Sequence, residues 1–280
     1  MNFERIVVTT FPGYFFTQIL CLRSILLYAA GKPVDIIVDD FGLAQWPTYV
    51  DDCKRYIKDN FPTLDITFHY FSGFSGMEKI ATGGWFRQQL VKLYLDKFVT
   101  GNSWLLVDSD VVFLEPPGID LISAVPHPNP GSIDIGNRLY VKTLLDCEQP
   151  WVGDEQDYWC LSSIPFRWIA RDLLEQLRTH VEQQHNKNLF DLHLSLFEQQ
   201  QLVAYDPESQ KMVMSEFQLI EVFRHRYYHT PLPVFKNVAS KFEHSSIKDW
   251  NTDRSVFENL GLVVDNSDWN NLQQFGARHV

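Results

Sequence analysis

Nowhere in this chain of 280 residues do Lys and Arg gather into a basic run. A nucleic-acid backbone is bound by clustered cations, whereas here 24 basic side chains stand against 35 acidic ones, a formal net charge of −11. That balance excludes nucleic acid from the expected partners. Cysteine is sparse as well. Cys21, Cys53, Cys147 and Cys160 show neither C-x-x-C nor zinc-like spacing and are too few for a disulfide scaffold. Cys21, set in an apolar helical pattern, reads as a buried thiol, so a reducing, cytoplasmic setting is expected. Long hydrophobic runs are missing too. Ile6-Val7-Val8 is far too short for a signal-peptide core, and the richer stretch Ile19 to Ala30 is interrupted by Arg23 and spaced as a helix. No integral membrane segment is expected, with peripheral attachment left open. No repeat, low-complexity tract or flexible linker divides the chain, so one domain is expected.

What is present is a globular composition, 45% hydrophobic with 14% aromatic residues and eight Trp. The aromatics serve core filling or the stacking of sugars and bases. The first part alternates strand and helix. Strands are predicted at Ile6 to Thr10, Val34 to Val38 and Leu64 to Tyr70. Helices are predicted at Phe16 to Ala30, stopped by Gly31-Lys32-Pro33, at Tyr49 to Asn60 and at Trp85 to Lys97. This order predicts an α/β fold with a mostly parallel, Rossmann-like central sheet flanked by helices. Beyond Glu115-Pro116-Pro117 the texture changes: an irregular proline-rich loop, then helices at Phe166 to Gln184, Phe190 to Gln200 and Ser215 to Phe223. Residues 1–115 are expected to form a nucleotide-binding half and residues 116–280 an acceptor-binding half of the same domain.

The run Trp104 to Leu114 carries the chemistry. It reads as a strand buried on both faces, with Asp108 and Asp110 on one side and Ser109 opposite. Burying charge is costly unless something neutralises it. Two same-side carboxylates at a strand end suit a hard divalent cation, Mn²⁺ or Mg²⁺, which completes its shell with water and substrate phosphates. Ligands of parallel sheets bind beyond the strands' carboxyl ends. Thr9, Thr10 and the Asp39-Asp40 pair stand at such ends and are candidate nucleotide contacts.

A hydrophobic strand closing in Asp-x-Asp after such α/β texture resembles the nucleotide-sugar-dependent glycosyltransferases of GT-A fold. The resemblance implies that Asp108 lies near the donor ribose and metal and that Asp110 binds the metal directly. A second phrase, His244-Ser245-Ser246-Ile247-Lys248-Asp249-Trp250, resembles the C-terminal segment of glycogenin-like glycosyltransferases. It implies His244 as a metal ligand and Lys248 as a diphosphate contact, although the spacing is shorter, the glycine is missing and Asp249 replaces a proline. A third, Gly83-Gly84-Trp85-Phe86-Arg87-Gln88-Gln89-Leu90-Val91-Lys92, together with Ser215-Glu216-Phe217, resembles predicted bacterial and viral glycosyltransferases. It implies Arg87 and Lys92 at a donor phosphate or sugar. The implied donor is a nucleotide-sugar, UDP by default, and the implied acceptor a glycan or glycolipid of polysaccharide biosynthesis.

If transfer inverts the anomeric centre, a general base must reach the acceptor hydroxyl. Glu216, in the first helical turn after Ser215, and Asp157, beside Tyr158 and Trp159, are the candidates. Two other readings compete. A phosphatase of the haloacid-dehalogenase type also uses Asp-x-Asp after a hydrophobic strand, but that motif normally opens its domain, and here 107 residues precede Asp108. A catalytically inactive carbohydrate-binding protein would suit the aromatic richness but not two costly carboxylates.

Overall fold

The computed structural model describes residues 3–11, 14–29, 31–41, 48–80, 84–109, 111, 113–122, 135–146, 166–203, 211–228, 232–238, 258 and 270. In chain order the elements are β1 (Arg5–Thr10), α1 (Phe15–Tyr28), β2 (Val34–Val38), α2 (Tyr49–Asn60), β3 (Ile66–Tyr70), α3 (Gly84–Leu93), β4 (Ser103–Asp108) and β5 (Phe113–Ile122). They continue as α4 (Ile135–Leu145), β6 (Phe166–Ala170), α5 (Arg171–His185), α6 (Leu189–Glu198), β7 (Leu202–Val203), β8 (Met212–Val213), α7 (Glu216–Tyr228) and β9 (Leu232–Val238). A five-stranded sheet has the order β3-β2-β1-β4-β6, and β5-β9 and β7-β8 form two-stranded sheets. The β1–β2 and β2–β3 pairs are parallel, with Ile6 opposite Val34 and Val34 opposite Ile66. The expected α/β class with a parallel sheet and helical crossovers is what the chain adopts.

The chain divides into two compact units that interleave in sequence. Unit 1 comprises 1–73, 105–119 and 235–280; unit 2 comprises 74–104 and 120–234. In unit 1, Ile6, Val7, Val8, Val34, Ile36 and Ile37 are fully buried, as strands covered on both faces require. Helix α2 turns Tyr49, Val50, Cys53 and Ile57 inward, with Asp51 and Asp52 in its first turn and Lys58 in its last, matching the helix dipole. A buried carboxylate staples the three strands: Asp35 on β2 accepts from Arg5 on β1 and lies 2.8 Å from Nε2 of His69 on β3. Burial pushes its pKa up, but the His69 and Arg5 hydrogen bonds outweigh that and hold it below the usual carboxylate range.

Unit 2 is knit by arginines. Arg178 of α5 grips Asp96 through two bonds of 2.7 and 2.8 Å, and Arg171 donates to the carbonyls of Gly101 and Val99 at 2.8 and 3.1 Å. His193 of α6 is fully enclosed between the Tyr140 hydroxyl and the Leu189 carbonyl, each at 2.7 Å. Burial drives its pKa down to about 4, so it is a neutral imidazole.

Four expectations about local structure are revised. The run 104–114 is not one strand: β4 stops at Asp108, and the Val111 N–H donates to the Asp108 carbonyl at 3.0 Å, closing a turn before β5. Strand β5 also passes through Pro116 and Pro117, which a two-stranded ribbon tolerates because one backbone edge of each strand needs no partner. Phe166 to Ala170 is strand β6 rather than the start of a helix, in keeping with its aromatic and β-branched residues, and α5 begins at Arg171. Helix α4 was not anticipated, and the helix from Trp85 gives way after Leu93 to a short 3-10 turn at Leu95–Lys97.

Candidate functional site

From β1 the chain crosses outward to β2 and β3, then returns to lay β4 on β1's other side. The order therefore reverses between β1 and β4. At such a reversal the crossover helices leave on opposite faces and a crevice opens at the carboxyl ends of the two strands. Asp108 ends β4 there. The Thr9 hydroxyl, near the end of β1, donates to Asp108 Oδ1 across 3.4 Å, a weak contact that puts both carboxyl ends at one edge of unit 1. Asp108 is half-buried, and its carbonyl also lies 4.0 Å from the Cys21 thiol of α1.

The other members of this edge follow from the neighbouring strand ends. Asp39 comes directly after β2; its N–H donates to the Thr10 carbonyl at 2.9 Å, and its Oδ1 accepts from the Phe41 N–H at 3.2 Å, an aspartate turn. It is 4% exposed. Asp40 instead faces β3's end, where it accepts from the Ser72 N–H at 2.9 Å and from the Ser72 hydroxyl. Thr10 is buried at the end of β1, and its hydroxyl lies near the Tyr49 phenol. Gln18 on α1 receives the Tyr49 hydroxyl on Oε1 at 3.1 Å, while its Nε2 has no partner of hydrogen-bond geometry among the described residues. Tyr49 also reaches the Phe11 carbonyl at 3.5 Å. Phe11 and Phe41, both following strand ends, are exposed aromatics at 39% and 37%. Gln18, Tyr49, Phe11 and Phe41 were not singled out by sequence reasoning. The available signal was a lone polar residue inside the apolar pattern of α1 and aromatics placed just past two strand ends.

Arg87, Lys92 and Glu216 lie in unit 2, in its interior. Arg87 is 7% exposed and donates to the Ile80 carbonyl at 2.7 Å. Lys92 and Glu216, expected at the donor phosphate and at the acceptor hydroxyl respectively, are bonded to each other, Nζ to Oε1 at 2.8 Å, with side chains 2% and 3% exposed. The Gln89 amide also faces this carboxylate, and exchanging its O and N would let the nitrogen donate to it; Lys92 Nζ lies 4.4 Å from the centre of the Phe217 ring. Ser215 caps α7, its hydroxyl accepting the Gln218 N–H at 3.4 Å, which sets Glu216 in the first turn. Asp110, Asp157, His244 and Lys248 lie outside the described residues. Among the described residues no group of three or more His, Cys, Asp or Glu could hold a metal ion, and no helix is long and apolar enough to cross a membrane.

Comparison with known proteins adds little to this geometry. A model for a family of unknown function (DUF6492) matches residues 18–127. No curated protein matches the chain. Among matching solved structures, the apo bifunctional glycosyltransferase WbbM is 15% identical with a TM-score of 0.39, over 65% of this chain and 34% of that one. The apo glycosyltransferase GlyE of Streptococcus pneumoniae TIGR4 is 10% identical with a TM-score of 0.33, over 97% of this chain and 63% of that one. The chain thus spans less than two thirds of either neighbour. Likenesses this slight carry no argument, and the site must stand on its own residues.

Proposed function

We propose that this chain is a metal-dependent glycosyltransferase of GT-A type, moving a sugar from a nucleoside-diphosphate donor, by default UDP-linked, to a hydroxyl of a glycan or glycolipid. The observation that supports it is the position of Asp108 at the β1/β4 strand-order reversal, with Asp110 two residues further along the sequence. A hard cation fits the chemistry of a carboxylate at a strand end: Asp108 Oδ1 takes a long 3.4 Å contact from the Thr9 hydroxyl, which a metal can displace or share. Asp108, Asp110 and His244 would hold Mn²⁺ or Mg²⁺. The ion, when bound, neutralises charge on the leaving diphosphate as a Lewis acid.

The remaining roles belong to the chain. Thr9 orients Asp108. Asp39, at the end of β2, accepts from donor hydroxyls. The buried Thr10 hydroxyl and Gln18 amide offer polar partners at the same edge, and Lys248 meets the diphosphate. Asp157 is the acceptor-side carboxylate in this reading. Glu216 and Lys92 act instead as a buried pair that sets α7 against α3 within unit 2.

The test is a thermal-shift panel of UDP, GDP, CMP and dTDP, each with and without Mn²⁺, on the native chain and on Asp108→Asn and Asp110→Asn. One nucleotide should raise Tm only with the metal, by the equivalent of about 3 kcal/mol at a hundredfold excess over Kd. Both variants should lose that shift while keeping the ligand-free Tm. A metal-dependent shift of undiminished size in the variants would sink the assignment. No shift with any nucleotide, combined with Mg²⁺-dependent hydrolysis of an aryl phosphate, would establish the phosphatase reading.

A further inference from the structure

A second feature of unit 1 lies apart from the strand-order reversal. Between the C-terminal half of α2 and β3 runs an open groove of about 620 Å³. Phe61, Leu64, Ile66 and Phe68 supply an apolar floor, and Lys54 and Lys58 stand over it. The two lysines are four residues apart, hence on one face of α2, and both are exposed. Lys54 Nζ lies 5.5 Å from the Phe68 ring centre and 5.7 Å from that of Tyr70, so its ammonium stands over both rings. None of the nine lining residues is acidic. The lining itself therefore carries positive charge only.

The groove borders a strand edge. β3 ends the order of the five-stranded sheet, and among the described residues no strand pairs with its outer side. Its register with β2 is set by the Val34 N–H donating to the Asp65 carbonyl at 2.8 Å. In a parallel ladder this turns the backbone groups of Thr67 and His69 toward β2 and those of Ile66 and Phe68 outward, beside the groove. Outward-facing N–H and C=O groups on a sheet edge are a template for a further strand.

We propose that this edge is a docking site for an extended, acidic segment of a partner protein, which adds to β3 as a strand and places its carboxylates against Lys54 and Lys58. The backbone edge supplies the main-chain hydrogen bonds, the apolar floor takes alternate side chains, and the lysines select for negative charge. This inference does not depend on the glycosyltransferase reading.

The experiment uses the full chain and a short fluorescent peptide mixing Asp and Val, followed by anisotropy. Three comparisons accompany it: the peptide with Lys in place of Asp, the Asp peptide N-methylated along one backbone edge, and phosphatidylserine vesicles. Saturable binding of the Asp peptide alone is expected. Reversing both charges (Lys54→Glu with Lys58→Glu) should weaken it roughly tenfold or more, as the loss of two attractive contacts and gain of two repulsive ones implies. Both positions are exposed on α2, so an unchanged Tm would confirm that the variant folds. Equal binding of the N-methylated peptide, equal binding by the charge-reversed variant, or binding to vesicles without binding to peptide would each overturn the proposal.

Discussion

Replacing Glu216 with Gln separates an architectural role from a catalytic one. In the native chain the Glu216 carboxylate sits 2.8 Å from Lys92 Nζ, and the two side chains are 3% and 2% exposed. Removing one charge of a buried pair costs about 3–5 kcal/mol, because the other is left uncompensated. Two features reduce that here: the Phe217 ring faces the ammonium at 4.4 Å, and the Gln amide keeps an acceptor oxygen. A loss of about 3 kcal/mol is therefore expected, which lowers Tm by roughly 5 °C in a chain of this size. The double replacement Lys92→Met with Glu216→Leu should recover most of it, since neither charge then remains to be neutralised. Urea unfolding measures the stability, and sugar transfer on the same samples measures the chemistry. An architectural Glu216 predicts lower stability with kcat retained in the folded fraction. A variant as stable as the native chain whose kcat has collapsed would refute the reasoning and make Glu216 the base.

Two further outcomes concern pH. His193 has its folded pKa lowered to about 4 by burial, while an unfolded imidazole titrates near 6.5. The unfolded state thus binds the extra proton first. Stability should fall by roughly 3 kcal/mol as pH drops from 6.5 to 4, and urea titrations of His193→Asn should lack that part of the slope. Asp35 works from the other side of its own titration. Its folded pKa is held below the unfolded value, so its contribution is present above the unfolded pKa and fades as pH falls through the folded one. Asp35→Asn should therefore differ from the native chain at pH 7 by about 2 kcal/mol or more, leaving Arg5 and His69 without their shared carboxylate, and the gap should narrow in acid. A gap that stays constant from neutral to strongly acidic solution would show that Asp35 holds no such charge-dependent staple.

Much of the first half was legible without coordinates, for local reasons. The stop at Gly31-Lys32-Pro33 and the apolar spacing of Tyr49 to Asn60 are properties of neighbouring residues, and β2 and α2 occupy the spans they imply. The β-α-β order by itself required parallel strands, because a crossover long enough to contain a helix returns the chain in the same direction. The placing of Asp108 and of Thr9 and Thr10 at strand ends was likewise visible. Three things were not. Where β4 stops depends on the Val111 N–H closing a turn onto Asp108, a bond that hydropathy does not encode. That Asp108 meets Thr9 depends on β4 being placed beside β1 rather than beyond β3, a choice made by sheet assembly between segments 99 residues apart. And a lone Lys92 and a lone Glu216 each suggest an exposed functional charge, whereas folding brings them from 124 residues apart into one buried pair. The sequence by itself determined which segments become strands and helices, since those follow from short-range pattern. Only the tertiary structure decided which charges are buried against each other and which lie at the carboxyl edge of the sheet, because desolvation and pairing act on neighbours in space.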